Sequence, residues 1–528
     1  MTASSSLAGT APANLLDGSF SAGVGGQQWT AAAGDAAPWV RLGWSSPRRI
    51  ASVQVLGPAQ AASTSTAPGA VDLHGRLRFS DGSSVVVSGI AGGGNDPTTI
   101  AFAPREVTAV RLELERTEPG AVLGLREFAA YDAGTTPPKW PYSATGYSTT
   151  PAAAQCGATS PAVAPRPANG LALVCPAPGS VVGSTATVVV WAPPGTSVTA
   201  RGWRLDKGTP GVGSMYWAGA ARAGADGRAV ITVNTQALPK GPTALKVSRT
   251  DGTGAPLYVQ VVNGSGRSVP TPATVPAGMG LRYSDDFSAP LSVDWYGSGA
   301  AYAATKPEPF GDSEFGMAAF VDPAVGTGTM ATIPGGYLRL RAEPIAGRKA
   351  WADWGQKHFG GLLSSARIGG GGFSAQYGYF EARMLGAPGP GAWPAFWMLN
   401  TENATPRFGG KAAEVDAVEL YGHDTAGSCH LAHSWGTTPS PIKGGSCLKA
   451  VQPADWAASW HTYGARITPG GATFYVDGVE VTRVTGLTHT EEPFFFLLNL
   501  ALSHDWPIDL SRTGETTDLY VDWVRVYT

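Results

Sequence analysis

Glycine or proline stands at every fifth position or so of this chain: 71 Gly and 42 Pro among 528 residues. In a helix interior each Gly costs roughly 1 kcal/mol and each Pro about 3 kcal/mol relative to Ala. Long helices are therefore excluded along most of the sequence. Short strands joined by turns tolerate such punctuation. Disorder is excluded as well, because the chain is 43% hydrophobic and contains 17 Trp. Charged residues make up 14% and the net charge is −2, which supplies no basic surface for nucleic acid. No apolar run reaches the roughly 18 residues of a membrane span. The expectation is an all-β chain of about three modules, each a β-sandwich.

Residues Met1-Thr2-Ala3-Ser4-Ser5-Ser6 have neither a basic n-region nor an apolar h-region, so they do not read as an intact signal peptide. The four cysteines form two local pairs, Cys156/Cys175 and Cys429/Cys447, neither with the C-x-x-C spacing of a zinc or redox site. Two small-loop disulfides are expected, which implies an oxidising, extracellular setting.

Residues 1–133 alternate polar and apolar side chains in runs such as Ile50-Ala51-Ser52-Val53-Gln54-Val55-Leu56, with an Asp81-Gly82 turn signal. Leu15-Leu16-Asp17-Gly18, Trp39-Val40-Arg41-Leu42 and Gly124-Leu125-Arg126-Glu127-Phe128 resemble discoidin-like, galactose-binding-like jelly rolls. Residues 134–263 read as a Pro/Ala/Thr-rich linker followed by a second sandwich. Its runs Ala186–Trp191, Arg228–Val233 and Leu257–Val262 resemble a bacterial immunoglobulin-like module. Residues 264–280 read as an extended linker with Pro270, Pro272 and Pro276. The remainder, 281–528, holds seven of the eight His and the clearest strand patterns.

Within that remainder, Glu414-Val415-Asp416-Ala417-Val418-Glu419 concentrates three acids in a chain poor in charge. Val415 and Val418 favour a strand, and strand alternation puts Glu414 and Asp416 on one face but turns Glu419 away. A one-residue bulge between Asp416 and Glu419 would return all three to one face. Two Glu side chains leaning inward from such a strand could bring their carboxyls about 5–5.5 Å apart, the separation of retaining glycosidases. Three acids so close cannot all ionise cheaply, so at least one pKa should rise. The bland readings are an acidic edge strand or a calcium site. Trp393 and Trp397 stand near the acids in sequence, and flat indoles stack on sugar rings. His433 and Trp435 share a strand face by alternation; either His430 or His433 could be an ordinary satisfied polar residue.

In chain order, residues 281–528 contain Ser284-Asp285-Asp286-Phe287, Gly336-Tyr337-Leu338-Arg339-Leu340, Tyr377-Gly378-Tyr379-Phe380-Glu381-Ala382-Arg383 and Trp393-Pro394-Ala395-Phe396-Trp397-Met398-Leu399. The acid hexapeptide, Phe496-Leu497-Leu498-Asn499-Leu500-Ala501 and Tyr520-Val521-Asp522-Trp523-Val524-Arg525-Val526-Tyr527 complete the series. This segment resembles glycoside hydrolase family 16 in the bulged, laminarinase-like form. The resemblance implies a concanavalin-like β-jelly roll and a retaining endo-glycosidase that needs no cofactor for catalysis. It implies Glu414 as nucleophile, Asp416 as its assistant and Glu419 as general acid/base, with His433 near the acid/base. Trp393, Trp397, Trp435, Asn499 and Trp506 would contact substrate. It also allows a structural calcium held by Gly336 and Asp522. The expected protein is a secreted monomer acting on a neutral polysaccharide, β-1,3-glucan first. A β-galactan or bacterial exopolysaccharide is the alternative substrate, and a non-catalytic carbohydrate-binding protein the competing class. Neither nucleic acid nor a membrane is an expected partner.

Overall fold

The structure of the protein is a computed structural model. It describes residues 1–16, 28–57, 73–90, 98–115, 123–135, 146–204, 215–268, 276–294, 300–307, 315–323, 328–345, 355–367, 371–402, 404, 411–436, 442–449, 455–503 and 505–528. The described residues are overwhelmingly β, with short 3-10 turns such as Pro12–Leu16 and Ser511–Thr513. None of the described helices is long and apolar enough to cross a membrane.

Residues 1–143 form most of one compact unit. Its main sheet runs Thr2–Ala3, Trp39–Leu56, Thr98–Glu115, Leu73–Phe79, Ser84–Ile90, with Glu127–Asp132 also on Trp39–Leu56. Alternate apolar residues of these strands, among them Val40, Val53, Val55, Leu112 and Phe128, build its core. Asp81-Gly82 makes the expected turn: Gly82 adopts φ +85° and its N–H donates to Phe79 O at 3.0 Å. Trp39–Leu42 lies within a strand, whereas Asp17 and Gly18 fall outside the described residues.

The second unit takes in 144–309, 314–344 and 356–528. It contains two sandwiches. In the smaller one, a five-stranded sheet runs Ser180–Val182, Leu257–Asn263, Gly241–Arg249, Ser197–Trp203, Met215–Arg222. A three-stranded sheet, Arg228–Asn234, Thr185–Trp191, Ala172–Cys175, packs with it around Val188, Val190, Ile231, Val259 and Val261. The larger sandwich is a β-jelly roll. One antiparallel sheet contains Tyr337–Pro344, Thr517–Tyr527, Gly378–Leu385, His461–Thr468, Gly471–Val476 and Val479–Thr485. The facing sheet runs His358–Ser364, Phe494–Leu502, Ala392–Asn400, Ala413–Glu419, Gly427–Ser434, Ile442–Lys449. Phe380, Phe396, Met398, Val415, Val418, Phe474, Phe496 and Val524 fill the space between them. Both expected disulfides form, Cys156–Cys175 and Cys429–Cys447.

The two sandwiches are not beads on linkers. Every residue of Leu257–Asn263 is buried, because both faces of the strand are covered. Leu257, Val259 and Val261 face the smaller sandwich's own core. Tyr258 belongs to the jelly-roll core, and Val262 packs with Trp460 and Tyr520. Gln260 pairs with the backbone of Asp518 in both directions, at 2.7 and 2.9 Å. Segments expected to be linkers are laid down as well. Tyr147 and Leu291 exchange backbone hydrogen bonds at 2.8 and 2.9 Å, and Gly280 exchanges two with Thr528.

A fully buried carboxylate sits at this junction. Asp518 accepts from Arg341 Nε at 2.7 Å and Nη2 at 2.8 Å, and that Nη2 also donates to Pro178 O at 3.0 Å. Burial pushes the Asp518 pKa up, but the charge and hydrogen bonds of Arg341 prevail and hold it below the usual value. Replacing Arg341 by Met removes the ion-pair partner of this buried charge, so Arg341→Met is expected to destabilise the second unit by about 3–5 kcal/mol. Denaturant unfolding would measure this, and a loss under 1 kcal/mol would contradict the assigned role.

Candidate active site

Strand Ala413–Glu419 is bulged. Against the neighbouring strand Phe396 pairs with Val418 and Trp397 with Asp416, which leaves Ala417 without a partner. The same shift appears on the other side, between Asp416 and Glu419. Val415, Ala417 and Val418 therefore all turn into the jelly-roll core. Glu414, Asp416 and Glu419 share the opposite face, in register with Leu399, Trp397 and Ala395.

A bulge leaves backbone groups outside the ladder, and these need partners when buried. Buried His430 provides one: its Nδ1 donates to the Ala417 carbonyl at 2.6 Å while Ser428 Oγ donates to Nε2 at 2.9 Å. Burial pushes the His430 pKa down to about 4, so the ring is neutral and holds this tautomer. His430 is thus a structural peg for the bulge.

The floor beneath the acids is apolar, made by Leu362, Ala395, Leu399, Phe495, Leu497 and Ala501. Burial is consequently the dominant influence on the acids. It pushes Glu414 up to about 8, with the charge of Asp416 adding to the rise; His433 and the Trp435 N–H act in the opposite sense. Asp416 is raised well above the carboxylate range by burial and then by the charge of Glu419. The expected rise thus falls on Glu414 and Asp416. His433 Nε2 lies near both, 3.2 Å from Asp416 Oδ2 and 3.9 Å from Glu414 Oε1, and Glu414 also accepts from Trp435 Nε1 at 3.1 Å. Both acids are thus pushed up, and the Trp435 N–H is the added group that favours the Glu414 anion.

The structure brings most expected site residues together. Trp393 Nε1 donates to Glu419 Oε1 at 2.9 Å. His433 and Trp435 do share a face and stack, with ring centroids 5.4 Å apart and planes inclined by 13°. Trp506 lies 5.8 Å from the Trp393 ring. Three expectations change. His433 sits beside Asp416 (3.2 Å) and Glu414, not beside Glu419, because its strand pairs it with Glu414. Trp397 is only 8% exposed and donates to Asn499 Oδ1 at 2.7 Å, so it is part of the floor. Asn499 is fully buried and also donates to Trp393 O at 3.3 Å, so it ties the two tryptophans together below the surface.

Tyr421 escaped sequence reasoning. Its hydroxyl is hydrogen bonded to Glu419, and its ring packs on Trp506 at 5.0 Å with His423 on the far edge. The available signal was its place two residues beyond Glu419, where a strand leaving the same face would carry it.

Glu414, Asp416 and His433 offer three ligand atoms within 4.8 Å of one another, the described group best arranged for a metal ion. In the expected calcium pair, the acid already has a cationic partner. Asp522 gives its carboxylate to Arg383, so a guanidinium already supplies the positive charge. Gly336 faces the Asp286 carbonyl across its turn.

Residues 349–525 match the family model described as Glycosyl hydrolases family 16, and residues 1–131 match a domain of unknown function, DUF7402. The N-terminal match names neither a discoidin nor an immunoglobulin-like module. Similar proteins include the endo-1,3-1,4-beta-glycanase ExsH of Rhizobium meliloti (strain 1021), 26% identical over 37% of this chain and 39% of that protein. The keratan-sulfate endo-1,4-beta-galactosidase of Sphingobacterium multivorum is 31% identical over 32% of this chain and 40% of that protein. The chain thus spans about two fifths of the length of these relatives. Among solved structures, the laminarinase catalytic domain of Thermotoga maritima MSB8 aligns with 47% of this chain and 98% of that chain, with 22% identity and a TM-score of 0.38. The C-terminal part of the chain is thus similar to glycosyl hydrolases family 16 over residues 349–525.

Proposed function

We propose that the protein is a secreted, retaining endo-β-glycosidase that hydrolyses a neutral polysaccharide, with β-1,3-glucan as the first substrate. The observation that carries this reading is the bulged strand, which sets Glu414, Asp416 and Glu419 on one face within the segment that matches the family 16 model. Glu414 attacks the anomeric carbon while Glu419 gives its proton to the leaving oxygen, so the glycosidic bond breaks as the glycosyl-enzyme ester forms. Glu419, now a carboxylate, takes a proton from water. That water displaces Glu414 with overall retention.

The surroundings suit these roles. The Trp435 N–H, which donates to Glu414, favours the anion that a nucleophile needs. Trp393, hydrogen bonded to Glu419, holds that carboxyl in place and offers an indole to a sugar ring. The names of the relatives span β-1,3-1,4-glycans, keratan sulfate and β-1,3-glucan. The low charge of this chain favours a neutral substrate over a sulfated one. Two disulfides suit an extracellular enzyme.

Glu414→Gln and Glu419→Gln should each lower kcat on the best polysaccharide by roughly 10²–10⁴-fold or more while the fold is kept. Wild-type turnover by either variant would sink the assignment. NMR of the first product should reveal the retained anomer; the inverted anomer would refute the double displacement. Reducing-end release across β-1,3-glucan, mixed-linkage glucan and β-galactan should be fastest on the first, and no release from any β-glucan would remove it. Asp416→Asn deletes a negative neighbour that raises Glu414, so Glu414 should ionise at lower pH. The acid limb of kcat/KM should then move to lower pH, and an unmoved limb would refute the coupling.

A further inference from the structure

Residues 420–427 lead from the acid strand to its neighbour Gly427–Ser434. They carry Tyr421, bound to Glu419, and His423, against Trp506. This loop is fixed close to the jelly roll at its start. Gly422 N donates to Ala392 O at 2.8 Å, and a Cβ on Gly422 would lie 2.0 Å from Gly389 O, so no larger residue fits. The indole of buried Trp456 donates to the carbonyls of Asp424 at 3.2 Å and Gly427 at 2.8 Å.

The last tie comes from the smaller sandwich. Thr425 Oγ1 lies 2.9 Å from Asp455 Oδ1 and 2.9 Å from the Tyr258 hydroxyl. Tyr258 donates to the same Asp455 oxygen, and Lys246 Nζ pairs with the other. Two sandwiches thus converge on one buried carboxylate. Asp455 also adopts φ +86°, a conformation that residues with a Cβ seldom take. Such a conformation persists only where the surroundings over-determine it, and here three side-chain donors do so.

We infer that the smaller sandwich is a working part of the active site: through Tyr258 and Lys246 it fixes Asp455, and through Asp455 and Thr425 it sets the loop whose Tyr421 aims Glu419. Tyr258 and Lys246 are positioning residues, on the strands Leu257–Asn263 and Gly241–Arg249. The inference rests on the glycosidase reading for the role of Glu419, though not for the contacts that reach the loop.

Tyr258→Phe in the full chain removes one hydroxyl and keeps the ring. Amide hydrogen exchange in residues 420–427 is expected to quicken about tenfold, with strands Ala172–Cys175 and Thr185–Trp191 unchanged. On the polysaccharide the wild type cleaves fastest, kcat should fall about 5–20-fold with KM within roughly twofold, the pattern of a misplaced catalytic group. Thr425→Val cuts the same tie from the loop side and should give the same pattern, which keeps the test open should Tyr258→Phe fail to fold. Wild-type exchange in 420–427 in both variants overturns the inference. So does faster exchange spread evenly over residues 144–528, or a localised change with kcat unaltered. If the wild type cleaves no glycan, the glycosidase reading fails on its own, and exchange still decides whether the smaller sandwich sets the loop.

Discussion

Everything at the candidate site depends on one surplus residue. A strand has a period of two, so acids at 414, 416 and 419 cannot share a face unless the count is broken between the second and third. Ala417 breaks it, and the core tolerates the break because Ala417 and Val418 both turn inward among Phe396, Phe496 and Phe474. The break also frees a carbonyl that burial would make costly, and neutral His430 satisfies it. Geometry, apolar packing and a single buried hydrogen bond thus act together to keep Glu419 on the face of the other two acids.

The apolar floor explains the electrostatics. Carboxylates set on Leu399, Phe495 and Leu497 lose hydration, and their mutual repulsion adds to that loss. The indole N–H groups offset it selectively: Trp435 serves Glu414 and Trp393 serves Glu419, while Asp416 has only His433 beside it. Different partners thus give chemically similar acids different surroundings.

Much of this was legible in the sequence. Gly and Pro punctuation excludes long helices, the cysteine pairs match disulfides, and the bulge follows from the spacing of three acids. The limits were physical too. Alternation places His433 and Trp435 on one face, but only the inter-strand register decides that His433 meets Glu414 and not Glu419. Asn499 sits in an apolar run, and that run alone does not reveal whether a polar side chain reaches the surface or stays below it as a tether for indoles. Leu257–Asn263 reads as an ordinary strand of one sandwich; that its even-numbered residues have a second core to face is a long-range fact absent from local pattern. Tyr421 was hidden because loops have no period to read.

The doubly covered strand has a consequence for anyone dissecting this protein. A strand that serves two cores cannot be assigned to either fragment. A cut near residue 280, where composition suggests a seam, would expose Trp460 and Tyr520 to water on one piece and Tyr258 and Val262 on the other. Such fragments would be sticky and prone to self-association. For this chain the shortest piece that keeps the jelly roll's apolar face covered begins ahead of Ala172, upstream of the smaller sandwich.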